Sequence, residues 1–467
     1  MSFEIAVPEG WHLVKLSDLG EVNRGKSKHR PRDAAVLYGG KYPFIQTGDV
    51  KASNGRITSF NQTYSDEGLK QSRLWPAGTM CITIAANIAE TGILQFPACF
   101  PDSVIGFIAD KSKCDVYFVE YMFRLLKSKI KAQANGSVQD NINLQTLERI
   151  LFPIPDLDVQ KNISKTLGAF DDLIIKNSNI NETLEQMAQA LFKSWFVDFE
   201  PVKAKVAVME AGGSQEDATL AAMTAISGKN ADALVAFERE HPEQYAELKA
   251  TAELFPSAMQ ESELGEFPAG WILGPLSDIA IFANEKVDIS SLTSETYIST
   301  ENMLENRSGI STASSLPSVN SVPGFRSGHV LISNIRPYFK KIWLARFKGG
   351  RSADVLAFEA RDSVTVEYIY NLLYQDSFFD FMMLTSKGVK MPRGDKTAIM
   401  GWQCVCPDKK VSYAFSKAVG EYYSFIEINN TQNKTLTQLR DTLLPKLLSG
   451  EIILPEAEQA VSEVENV

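Results

Sequence analysis

Three short stretches hold residues whose types and spacing match known chemistry. Gly20-Glu-Val-Asn-Arg-Gly25-Lys26-Ser27 fits a phosphate-binding loop letter for letter. Such a loop follows a buried strand and opens a helix, so that backbone N–H groups and the lysine hold the phosphates. Here Lys28-His-Arg-Pro31-Arg32 comes next. A proline four residues past Ser27, in a basic run, is poor helix material, and no apolar strand ending in a Mg²⁺-binding aspartate lies at a useful distance. The segment reads better as a basic, glycine-containing loop for phosphate or base contacts. Asn334-Ile-Arg-Pro337-Tyr338 superficially matches the Asn-Pro-Pro-Tyr loop of amino-methyltransferases, but Ile335-Arg336 replaces the first proline and no cofactor-binding glycine segment precedes it. Glu247-Leu-Lys249 needs a strand to end a nuclease triad, and it lies in an Ala/Glu-rich stretch. A Gly-x-Ser-x-Gly elbow, a His-Glu-x-x-His pair and a glycine-rich dinucleotide turn are all missing. Five cysteines and four histidines are too scattered for a disulfide framework or a zinc site. The expectation is a chain that catalyses nothing alone and holds no metal or cofactor of its own.

The elements that must position any functional residue occur twice. Pro8-Glu-Gly-Trp11-His-Leu-Val-Lys-Leu-Ser-Asp18 returns as Pro268-Ala-Gly-Trp271-Ile-Leu-Gly-Pro-Leu-Ser-Asp278, with seven identities in eleven positions. Val119-Glu-Tyr-Met122 returns as Val366-Glu-Tyr-Ile369, and Phe152-Pro-Ile-Pro155 as Cys404-Val-Cys-Pro407; Phe44-Ile-Gln-Thr-Gly-Asp-Val50 has a weaker echo in Tyr297-Ile-Ser-Thr-Glu-Asn-Met303. A long duplication of this kind organises every later inference. Each copy opens with the Gly-Trp segment and runs through strand-like apolar stretches, Gly78–Ile84 and Gly328–Ser333. A helix near 116–132 or 366–384 follows, then a polar loop (Gly136–Gln139; Gly388–Met391) and a proline-bounded strand. Each copy ends in a long helix. That is an α+β or α/β globule followed by a helical arm, in tandem.

The final repeat lies 252 residues from its counterpart, a whole number of heptads, so one register serves both arms. Steps of three and four from Ile163 reach Leu167, Phe170, Ile174, Asn177, Asn181, Leu184, Ala188, Leu191 and Trp195; the second arm runs from Phe415 through Asn429 and Asn433 to Leu447. An apolar seam sustained over more than four heptads predicts a coiled coil, with the arms as mutual partners. Paired seam asparagines in both copies would fix register and partner at some cost in stability. The bland alternative leaves them on a solvated face, each arm packing on its own globule.

The boundaries follow: a globule over 1–155, an arm over 156–199, an acidic connector over 200–265, a second globule over 266–407, a second arm over 408–450 and an acidic tail over 451–467. The net charge of −10 is uneven. The segment 201–265 holds five Lys/Arg against eleven Asp/Glu, and the tail none against five, which leaves the rest of the chain at +1. Local basic patches decide whether phosphate is bound. The connector reads as mobile or partly helical, and the tail as disordered. The N-terminus lacks a basic leader and no stretch approaches eighteen apolar residues, so a cytoplasmic protein away from membranes is expected.

Several motifs together resemble one family. Asn141-Ile-Asn-Leu-x-x-Leu-x-x-Ile-Leu-Phe-Pro153-Ile-Pro155, Trp195-Phe-Val-Asp-Phe-Glu-Pro-Val202, Glu261-Ser-Glu-Leu-Gly265 before Trp271, and Leu443-Leu-Pro-Lys-Leu-Leu-Ser-Gly450 resemble the specificity (S) subunit of type I restriction-modification systems along the whole chain. The resemblance implies two target recognition domains, each reading one half of a split double-stranded DNA sequence, and an antiparallel coiled coil that spaces them. It places methylation and cleavage, with S-adenosylmethionine, ATP and Mg²⁺, in partner methyltransferase (M) and restriction (R) subunits. The second half departs from the pattern, with Met391-Pro-Arg393 where the first has Gln139-Asp-Asn141. Two alternatives stay open: a stand-alone methyltransferase and a coiled-coil DNA-binding regulator.

Base readout needs Arg, Lys, Asn and Gln on loops, with further basic and hydroxyl groups on phosphate. In the first globule the candidates are Lys26, Arg30, Arg32, Thr47, Lys70, Arg73, Asn87 and Gln139. In the second they are Arg326, Asn334, Arg336, Lys340, Lys387, Lys390 and Arg393. Thr47 and Asn87 also suit the simpler task of ordering turns. Phe192, Phe196, Leu439 and Leu448 lie beyond the seam and are expected to offer a docking face to methyltransferase helices.

Overall fold

The computed structural model describes residues 7–29, 31–85, 87–134, 144–263 and 265–452. The chain divides into two compact units, Met1–Asn177 with Thr431–Val467, and Ser178–Asn430. Two helices of forty residues each, Leu157–Phe196 and Lys409–Leu448, contribute to both.

The repeated Pro-x-Gly-Trp is a turn. Trp11 N–H donates to the Pro8 carbonyl at 3.1 Å, and Trp271 N–H to that of Pro268 at 3.2 Å. Gly10 and Gly270 sit at φ 82° and 83°, a conformation that disfavours a Cβ. The strands that follow, His12–Lys15 and Ile272–Pro275, pair antiparallel with Leu151–Ile154 and Gln403–Cys406, the proline-bounded strands that precede the long helices.

The main sheets also share one plan. In the first unit the strand order is Gly20–Arg24, Val104–Ala109, Met80–Thr83, Thr91–Leu94, Gly55–Ile57. In the second it is Ala280–Phe282, Val355–Ala360, Val330–Ser333, Ile342–Leu344. The central pairs are antiparallel in matching register, Thr83 opposite Val104 and Ser333 opposite Val355. Helix Val116–Ala134 and helix pair Val366–Tyr374 and Asp376–Leu384 hold equivalent places. The architecture is therefore α+β in tandem, each copy followed by a long helix.

Within each unit the long helices pair antiparallel. In the first, Ile163, Leu167 and Phe170 share a buried core with Leu436, Leu443 and Leu447, and with sheet residues Met80, Ile82, Ile105 and Phe107. In the second, Ala188, Phe192 and Trp195 share one with Phe415 and Val419, and with Val330, Ile332, Leu356 and Phe358. The seam asparagines face their partners rather than water. Asn177 Nδ2 donates to Gln432 Oε1 at 2.7 Å and Asn433 Oδ1 at 3.0 Å in the first unit. In the second, Asn429 Nδ2 donates to Asn181 Oδ1 at 2.8 Å and Asn181 Nδ2 to Asn430 Oδ1 at 3.0 Å. These bonds rule out the solvated-face alternative.

Of the two forms expected of the connector, residues 200–253 take the helical one. They fold into four helices, Glu200–Glu210, Gln215–Ser227, Ala231–Glu240 and Pro242–Glu253. Ser214 and Asp217 close a capping box, Asn230 caps the third helix, and Gly228 ends the second at φ 66°. Alanines let the helices approach around Ala222, Met223, Leu234 and Ala252. Phe255 then packs on Trp195, ring centroids 5.0 Å apart, and buried Lys205 gives its ammonium to the Phe255 carbonyl at 2.7 Å. The insert is part of the second unit's core. The tail expected after Glu451 falls almost wholly outside the described residues.

Candidate nucleic-acid interface

In the first unit the basic loop leaves the sheet at the end of strand Gly20–Arg24. Gly25 N–H donates to the Val104 carbonyl at 2.8 Å. A Cβ on Gly25 would stand 2.3 Å from the Pro101 carbonyl oxygen, so this glycine serves close backbone packing. Residues 25–29 then run without helix, which removes the phosphate-binding-loop reading. The segment is pinned along its length: Ser72 Oγ donates to the Lys26 carbonyl at 2.9 Å, and His29 N–H to Gln71 Oε1 at 3.0 Å. Arg32 makes bonds of 3.0 and 2.9 Å to the two Asp102 carboxylate oxygens, and Arg24 Nε bonds the Asp102 carbonyl at 3.1 Å.

Arg73 joins the same area. Its guanidinium lies 3.9 Å over the Trp75 ring, itself stacked on Phe100, and donates to Glu21 Oε1 at 2.6 Å. The Arg73 bond, helped by Asn23, holds the Glu21 carboxyl below its ordinary range. Lys70 pairs with Glu67 on the short helix Asp66–Lys70, next to Gln71. The sheet register puts the turn bearing Asn87 at the same sheet end as Lys26, since Ile84 N–H donates to the Ser103 carbonyl at 3.0 Å. The Asn87 carbonyl accepts from Thr83 Oγ1, which orders the turn. Thr47 is different. It opens helix Thr47–Ala52 beside the strands at the opposite sheet edge, behind a cap made by Gln46 and Asp49. Arg30 and Gln139 lie outside the described residues.

The second unit draws its candidates closer together. The chain leaves strand Val330–Ser333 at the sheet end equivalent to that of Asn87. Arg336 N–H donates to the Pro392 carbonyl at 2.8 Å, and Ile335 and Lys387 both bridge Arg393. Arg393 pairs with Asp354 at 2.9 Å, Lys387 with Asp395 at 2.5 Å, and Lys340 with Asp376 at 2.7 Å. Lys390 is exposed in the same loop. Arg336 and Lys340 hold φ 50° and 49°, strained for side-chain-bearing residues, as do Asn306 and Arg307 at 52° and 63°. Arg326 stands apart, at the other end of the strand, paired with Glu285 and near Glu359.

Two sets of residues are not where the sequence put them. Asn334 is 2% exposed; its Nδ2 holds the Gly394 carbonyl at 3.1 Å, so it positions the loop from beneath. Phe192 and Phe196, 1% and 4% exposed, are core residues ringed by Tyr368, Phe415 and Trp271. Leu448 is likewise buried in the first unit, and Leu439 packs against the same core. None of these four forms a free docking face, because the globule cores also cover the helix surface flanking the seam. Arg307 was missed: it joins Lys340 on Asp376 from a polar stretch about thirty residues earlier, with no spacing signal. Among the described residues no cluster suits a metal ion, and no helix is long and apolar enough to cross a membrane.

Residues 8–186 match the family model described as the type I restriction modification DNA specificity domain. That match places residues 8–186 in the type I restriction specificity domain family. It is similar to the type I restriction enzyme HindI specificity subunit of Haemophilus influenzae, 29% identical over 74% of this chain and 80% of that protein. It is also similar to the MjaIX specificity subunit of Methanocaldococcus jannaschii, 30% identical over 42% of this chain and 46% of that one. The type I S subunit of M. genitalium aligns over 96% of this chain and 98% of its own, at 14% identity and a TM-score of 0.46.

Proposed function

We propose that this chain is the noncatalytic DNA-recognition subunit of a type I restriction-modification complex, reading a split target with one unit per half-site. The observation that carries this reading is the pair of sheets with one plan and different basic loops at the equivalent end. Equal scaffolds with unequal loops suit two different half-sites, as a symmetric dimer suits two equal ones. The first unit offers Lys26, Arg32 and Arg73 there, and the second Arg336, Lys340, Lys387, Lys390 and Arg393. Most are paired with carboxylates, which aims the cations and leaves phosphate as a competing partner.

Methylation and cleavage then fall to methyltransferase and restriction subunits that bind S-adenosylmethionine, ATP and Mg²⁺. The exposed apolar residues Met187, Phe425 and Ile428 on the long helices are the better candidates for docking them. Methylome sequencing of cells with and without this gene tests the proposal. One bipartite methylated motif should vanish with the gene; an unchanged methylome, or loss of a continuous motif, would count against it.

A further inference from the structure

Two cations share one carboxylate at the rim of the second unit. Asp376 Oδ1 accepts from Lys340 Nζ at 2.7 Å and from the Arg307 guanidinium. Arg307 is fixed independently of that bond. Its Nε donates to the Tyr374 carbonyl at 2.9 Å and its guanidinium lies 4.8 Å from the Tyr374 ring and 5.4 Å from that of Phe379. Its backbone is tied to the loop too, Arg307 N–H to the Lys340 carbonyl at 2.9 Å and Asn306 N–H to that of Phe339 at 2.8 Å. Asp376 is 64% exposed on its side chain. The other acidic partners in this loop cluster, Asp354 and Asp395, each hold one candidate cation.

We propose that Asp376 is an intramolecular competitor for DNA phosphate: in the free protein it occupies Lys340 as a phosphate oxygen does in the complex. The inference rests on the DNA-binding reading above and adds a specificity-determining residue to it. The consequence is electrostatic. Lys340 reaches a phosphate only by giving up the Asp376 carboxylate, which stays with Arg307, and that loss offsets part of what the phosphate contact gains. Phosphate-driven attachment to arbitrary duplex is held down. Without the Asp376 charge nothing is given up, so binding tightens, most at low salt where charge interactions are least screened.

The test uses the full chain and a fluorescent mixed-sequence duplex, titrated between about 50 and 200 mM salt. Asp376→Asn should bind several-fold more tightly at the low end, with the gain shrinking as salt rises, and the gain should vanish in a Lys340→Ala background. If calorimetry finds Asp376→Asn unfolded, Asp376→Ser replaces it under the same expectation. Unchanged or weaker binding by the folded variant, with Lys340→Ala still weakening the wild type, overturns the competitor and leaves the DNA-binding reading standing. A Lys340→Ala chain that binds as the wild type does removes this loop from DNA and the inference with it.

Discussion

Replacing Asp171 by Asn should destabilise the first unit by about 3 kcal/mol, the low end of the cost of breaking a buried ion pair. Asp171 is 4% exposed and collects three donors: Arg440 Nη1 and Tyr121 Oη, both at 2.6 Å, and Arg124 Nη2 at 3.3 Å. Arg124 also bonds buried Glu120 at 2.7 Å, so it keeps one partner in the variant. Arg440 would be left with only the exposed Asp441, at 2.9 and 2.7 Å, which is why the lower figure applies. Asparagine preserves the shape and removes the charge, leaving the Arg440 guanidinium without its buried counter-charge beside a core of Leu436, Leu443 and Phe170. At about 2–4 °C per kcal/mol for a unit of this size, calorimetry should show the first unit's transition fall by about 6–12 °C. The pH dependence has a definite sign. Burial pushes the Asp171 carboxyl up, but the Arg124 and Arg440 guanidiniums outweigh it and leave the group below its ordinary value of 3.8. Its contribution is therefore present above that unfolded value and is lost as pH falls through the lower folded one. The penalty of Asp171→Asn should be constant near neutrality and shrink only below about pH 4. A loss under about 1 kcal/mol at pH 7, the size expected of a surface pair, would refute the claim that this network pins the second long helix to the first globule.

Other outcomes follow from the same structure. Phe192→Ala should cost the second unit about 3–5 kcal/mol, read as a lower melting transition; a surface-like change under about 0.5 kcal/mol would return this residue to the docking face. Phe425→Asp with Ile428→Asp should weaken co-purification of methyltransferase subunits at an unaltered melting temperature, and full recovery of the partner would discard that face. Asn181→Leu leaves buried Asn429 without its acceptor and should cost about 1–3 kcal/mol. The double change with Asn429→Leu should regain it, whereas a neutral single variant would mean that this pair does not hold the register.

The parts of the fold legible in the sequence were those written by local periodicity or a single turn. Pro-x-Gly-Trp recurs because one turn launches one edge strand twice, and the seam from Ile163 and Phe415 keeps its phase because two helices bury it against each other. The sequence leaves the insert between mobile and partly helical because acidic, alanine-rich composition suits a solvated linker as well as closely packed helices, and only the caps at Ser214 and Asn230 separate the two. Phe192 and Phe196 lie outside the seam in sequence, yet the globule covers that side of the helix, and periodicity does not say what does the covering. The site was the least legible part. Asn334 is buried because the loop from Lys387 to Gly394 folds over it, and Arg307 reaches Lys340 through backbone bonds between segments far apart in the chain. Such placements depend on tertiary pairing, which carries no local spacing.

The central claim is that each unit reads its own half of the target. Its most direct test is methylome sequencing of cells carrying the intact system with Lys340→Ala and Lys390→Ala in this chain. A lost base contact weakens discrimination by about 1–3 kcal/mol. Relaxed sequence, or reduced occupancy, should therefore centre on one half of the bipartite motif while the other half and the gap stay fixed. Equal degeneracy in both halves, or an unaltered motif at full occupancy, would contradict the assignment of this loop to one half-site.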